Sequence, residues 1–145
     1  MRKALHLFVM LMAASVASAA DGKLMHCFYY TPMADATDAD WKAFYQATDE
    51  LPKKIPGLLK VWYGKLRAPF RQIAANPEAA KKANAGEKDV AATINARVRE
   101  HGVCMEFADE AALKAYAPHP AHKEWEAVYG KVRQPGTATF DIIVQ

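Results

Sequence analysis

The chain lacks any block of lysine or arginine, and it has little cysteine and no apolar run of membrane length. Its 19 Lys and Arg face 16 Asp and Glu. Arg2 and Lys3 belong to an N-terminal segment with the marks of removal, and without them 17 basic residues stand against 16 acidic ones. A net charge near +1 gives no electrostatic footprint for nucleic acid, which excludes that class of partner. The two cysteines, Cys27 and Cys104, are too few and too far apart for a zinc framework. They are either bridged, which an oxidising compartment permits, or ordinary buried apolar residues. The sequence leaves both open. A membrane helix needs about 20 apolar residues, and no stretch after the N-terminus supplies them. No membrane span is expected in the mature chain.

The start is of another kind. Met1-Arg-Lys3 is basic, Ala4 to Ala14 is apolar except for His6, and Ala17-Ser-Ala-Ala20 is a run of small residues. That order is a secretory signal peptide. The expectation is a signal over residues 1–20 and one domain over 21–145, placed in the periplasm or outside the cell. About 125 residues suffice for one hydrophobic core.

Leu24 to Thr31 is apolar on both faces, as in a central strand. Thr37-Asp-Ala-Asp40 has the chemistry of a helix N-cap and acidic first turn. Trp41, Phe44, Tyr45 and Thr48 follow at helical spacing, and Pro52 with Ile55-Pro-Gly57 closes that helix. Leu58 to Leu66 and His101 to Phe107 have strand composition. Asp109-Glu110 opens a helix bearing Leu113 and Tyr116, a second helical stretch carries Trp125 and Tyr129, and Thr137 to Val144 is a last strand. Between the middle strands, residues 67–99 are rich in Ala, Lys and Glu. They read as a helical insertion outside the sheet, with helices over 69–75, 77–83 and 88–98. Without it the order is strand-helix-strand-strand-helix-strand, the ferredoxin-like α+β pattern: a four-stranded antiparallel sheet with helices on one face. The other sheet face would be bare and partly apolar, which predicts a homodimer packed sheet to sheet. Parity places Cys27 and Cys104 on that face.

Beyond His6, four histidines remain: His26, His101, His119 and His122. Imidazole titrates nearest neutrality and serves as a general base. His26 shares a strand face with Phe28 and Tyr30, and His101 shares one with Val103, Met105 and Phe107. In Tyr116-Ala-Pro-His-Pro-Ala-His122 the prolines break helical regularity, so Tyr116 and His122 can both turn inward. His26, His101, Tyr116 and His122 are expected to line one cavity, with Phe28 and Tyr30 adding apolar wall. His119 is expected to cap or pack the helix start.

The His-bearing first strand, Lys54-Ile-Pro-Gly57, Glu106-Phe-Ala-Asp-Glu110 and above all the Tyr116–His122 segment together resemble the stress-responsive A/B-barrel (Dabb) family. The resemblance spans nearly all the mature chain outside residues 67–99. It implies a dimeric α+β barrel and, by similarity to a plant polyketide cyclase of that family, a catalytic pair at Tyr116 and His122 acting without metal or cofactor. By the same similarity His26 and His101 are pocket residues. The implied ligand is small and apolar or aromatic, and the implied activity a cyclase or lyase. The alternative is a stress-associated binding protein without turnover. Haem handling is a third reading; against it, the histidine spacing fits no standard metal motif.

Overall fold

The structure, a computed structural model, describes residues 22–144. The signal segment expected over residues 1–20 lies outside them. The elements run β1 (Leu24–Tyr30), α1 (Asp38–Lys54), β2 (Leu58–Ala75), α2 (Pro77–Asn84), β3 (Ile94–Phe107), α3 (Glu110–Tyr116), α4 (Pro120–Val132) and β4 (Ala138–Ile143). The strands form one antiparallel sheet in the order β2-β3-β1-β4. This is the ferredoxin-like fold, with β1 and β3 at the centre.

α1 begins at a capping box. The Thr37 hydroxyl accepts from the Asp40 N–H at 3.2 Å, and the Asp40 carboxylate accepts from the Thr37 N–H at 3.1 Å. Two terminal N–H groups are thereby satisfied reciprocally. The helix runs through Pro52 rather than stopping there. It ends at a turn where Gly57 has φ +82°, and a Cβ there would collide with Ala112 of α3. Only glycine suits both demands. Phe44 and Leu51 of α1 and Ile55 just after it are buried on the sheet with Phe28 and Tyr30 of β1, Val103, Met105 and Phe107 of β3, and Trp125 and Tyr129 of α4. Phe44 stacks on Tyr129 with ring centroids 5.5 Å apart. Inside this layer the Trp125 indole N–H donates to the Thr48 hydroxyl at 2.8 Å, which itself donates to the Phe44 carbonyl.

The opposite sheet face carries Cys27 and Cys104. They are direct register partners and are joined by a disulfide, with Cα atoms 4.1 Å apart. Trp62, Phe140 and Ile142 stand exposed on the same face.

The segment 67–99 departs from expectation. Only Pro77–Asn84 is helical; the flanks expected as helices over 69–75 and 88–98 are not. Instead, β2 and β3 continue beyond a register shift between Lys65 and Phe70. Phe70 to Ala75 pairs with Ile94 to Arg99 as a two-stranded arm. It lengthens strands already in the sheet and adds no fifth. The local composition favours a helix, but antiparallel pairing between two chain segments brought close by the core overrides that preference.

Candidate functional site

Tyr116 and His122 meet because the chain breaks between two short helices. Asp109 caps α3, its carboxylate accepting the Ala112 N–H at 2.7 Å. α3 ends at Tyr116, and His119 caps α4, its Nδ1 accepting the Ala121 N–H at 3.2 Å. Pro120 fills the first helical position, where its missing N–H has no intrahelical acceptor to lose. The break folds His122 back on Tyr116, with ring centroids 4.1 Å apart.

His122 is held further. Its Nδ1 lies 3.0 Å from the Ala117 carbonyl oxygen. A carbonyl only accepts, so a hydrogen sits on Nδ1, and in the neutral tautomer Nε2 carries the lone pair. Trp125 stacks on the same ring at 5.7 Å. From the sheet, His26 approaches Tyr116 at 6.2 Å between centroids. Its Nδ1 donates to the Asp141 carboxylate at 2.7 Å, across a direct β1–β4 register pair.

These residues border a cavity of about 390 Å³ between β1, β4 and the α3–α4 break. Phe28, Trp125 and Tyr129 give it an apolar wall; Glu126, Arg133, Thr137 and Thr139 add polar edges. Burial, and then the Glu126 charge, pushes the Tyr116 phenol far above its ordinary range. It therefore stays protonated, with a hydrogen available to donate. Among the described residues nothing occupies its hydroxyl by hydrogen bond. A free imidazole lone pair beside a donor hydroxyl in an apolar cavity is the equipment for moving a proton and stabilising the oxyanion that results.

His26, Phe28, Tyr116 and His122 come together in this cavity. His101 and Tyr30 do not. β1 and β3 run antiparallel, so His101 pairs with Tyr30 while His26 pairs with Met105. Four residues along a strand is roughly 13 Å. His101 shares the expected sheet face but faces a separate, open cleft of about 760 Å³ with Trp41, Tyr45 and Lys65. Tyr30 is core between the two, stacked on His101 and set edge-on to Tyr129. Sequence reasoning also missed residues that belong here. Trp125 and Tyr129 entered only as members of a helical stretch, and Arg133 was not singled out, yet with His122 they recur at three- and four-residue steps along one helix face. Asp141, a lone carboxylate in an apolar strand, was the other available signal.

Residues 65–144 match the stress responsive A/B barrel domain, Dabb. That is more than half of the chain, which belongs to this family. No curated protein matches it in sequence. Among solved structures, it resembles a dimeric ferredoxin-like protein of unknown function from Jannaschia sp. at 21% identity, covering 85% of this chain and 100% of that one, with a TM-score of 0.56. A Dabb family protein from Mesorhizobium loti is similar at 18% identity, 86% and 98% coverage and a TM-score of 0.54. The hydroxynitrile lyase from Passiflora edulis shares the fold at 10% identity, 86% and 95% coverage and a TM-score of 0.58.

Proposed function

We propose that this Dabb protein is exported, assembles as a homodimer, and binds a small, mostly apolar ligand in the Tyr116–His122 cavity. There it performs cofactor-free acid–base chemistry of the cyclase or lyase type. The observation that carries the reading is the locked ring of His122, whose Nδ1 is tied to the Ala117 carbonyl while Tyr116 lies 4.1 Å away between centroids. In an aldol-type step Nε2 of His122 takes a proton from the carbon beside a carbonyl. The C–H electron pair moves into an enolate, and the Tyr116 O–H donates to the enolate oxygen. The enolate carbon then bonds a second carbonyl carbon, whose oxygen takes up the proton. Run in reverse, the same pair cleaves that bond, and a lyase acting on hydroxynitriles shares the fold. His26, oriented by Asp141, positions the substrate.

Export rests on the order of the N-terminal residues. Homodimerisation rests on the exposed apolar sheet face and on dimeric relatives of the same fold. Native mass spectrometry of the mature protein, isolated from the compartment to which it is exported, identifies the ligand. The mature N-terminus read in the same experiment should follow Ala19 or Ala20. Turnover is then measured on that ligand and on aromatic cyanohydrins. His122→Ala should lower it about 10²–10⁴-fold with the far-UV circular dichroism unchanged. A bound ligand that neither wild type nor variant converts would instead make this a binding protein without turnover.

A further inference from the structure

Where the cavity ends at Thr137, a second, smaller cavity of about 180 Å³ begins, lined by Arg97, Arg99, Gln72 and the same Thr137. Arg99 is only 3% exposed, unusual for a guanidinium. Its Nε and Nη2 donate to one neutral acceptor, Gln72 Oε1, at 2.9 and 2.6 Å, and its buried Nη1 has no partner among the described residues. Across Tyr129, the Arg133 guanidinium lies 4.7 Å over the ring, and its buried Nε is likewise unpartnered. The Tyr129 hydroxyl meets Thr137 Oγ1 at 3.3 Å, so phenol and threonine form the wall between the two cations. Both guanidinium charges act on that hydroxyl. Among the described residues no ion pair involves Arg97, Arg99 or Arg133. Buried charges are ordinarily paired, so the buried Arg99 and the half-buried Arg133 are short of an anion.

We propose that Arg133, backed by the Arg99 charge behind the Tyr129–Thr137 wall, receives the carboxylate of a small organic acid whose apolar body lies along Phe28, Trp125 and Tyr129. This assignment rests on the cavity being the ligand site and adds the ligand's charge and direction. Glu126 borders the same cavity on the Tyr116 side. The site is therefore negative where His122 and Tyr116 stand and positive at Thr137, so a carboxylate is turned away from the catalytic pair. A planar guanidinium fork suits a carboxylate's two oxygens.

Calorimetry on the mature chain tests this with phenylacetate, its neutral analogue phenylethanol, and inorganic phosphate. Phenylacetate should bind about tenfold or more tightly than phenylethanol, as expected of a charge-assisted hydrogen bond. Arg133→Gln should erase that advantage and Arg99→Gln should reduce it, with each variant still binding phenylethanol. Retained phenylethanol binding shows that a variant's cavity is intact, and half-buried Arg133 carries the test if Arg99→Gln does not fold. Equal affinities in the wild type, or a preference that survives both substitutions, would overturn the assignment while leaving the His122 turnover test untouched. Arginine-dependent binding of phosphate that phenylacetate cannot displace would overturn it too, as would failure of both organic probes to bind.

Discussion

His101 lies between two aromatic rings, 5.6 Å from Tyr30 and 5.1 Å from Trp41, with its Nδ1 buried and without a hydrogen-bond partner among the described residues. Burial, chiefly, lowers its affinity for a proton; Lys65 acts in the same direction and Glu100 against it. An imidazole whose folded-state pKa is depressed favours folding while it stays neutral. That contribution is complete above its unfolded value of about 6.5 and is lost as pH falls from there through the folded value. Urea unfolding should therefore show stability declining from pH 7 to pH 5, and His101→Phe should flatten the decline. A wild-type profile that is level or rises toward acid would contradict this. The same residue shows how far sequence reading reaches. Strand parity correctly gave His101 the helix-facing side, but parity carries no information on position along the strand. The register that sets His101 against Tyr30 instead of His26 is fixed by pairing across the sheet. His122 was legible for the opposite reason, because its geometry depends on two nearby prolines and a local cap.

At the level of elements, the disulfide ties the two central strands together across 77 residues of sequence. Closing so long a loop restricts the unfolded chain, which by the chain-entropy account stabilises the fold by about 4–5 kcal/mol. The double variant Cys27→Ser/Cys104→Ser should lose stability of that order in chemical denaturation. Thiol labelling of the native oxidised protein should find no free cysteine. The face these cysteines occupy was readable from alternation alone, whereas the bond was not, since it depends on register. The arm of β2 and β3 was misread for a related reason. Val90, Ile94 and Val98 are spaced by four, which fits one side of a helix and, being even, one face of a strand equally well. Ile73, Ile94 and Val98 are all exposed in the arm. No buried stripe therefore marks the period there, and only the long-range partner decides it.

For the whole molecule, the face opposite the helices is the unfinished surface. Trp62, Phe140 and Ile142 are 41%, 39% and 50% exposed on it, and Tyr29 packs against both Phe70 and Phe140 beneath. A contiguous apolar patch on a sheet calls for a cover, and a second copy of the same face supplies one with two-fold symmetry. Light scattering of the mature chain at micromolar concentration should give twice the monomer mass, and Phe140→Glu/Ile142→Glu should give the monomer. A wild-type monomer would refute the dimer. The consequence reaches the site through β4. This edge strand pairs only with β1 and carries Phe140 and Ile142 on one face, Thr139 and Asp141 on the other. Burial of the first pair in such a dimer would steady the second, and Asp141 is what orients His26. The monomeric variant should therefore keep its circular dichroism yet bind the cavity ligand more weakly, with faster hydrogen exchange along β4. Unchanged affinity in a proven monomer would show that the site is complete within one chain.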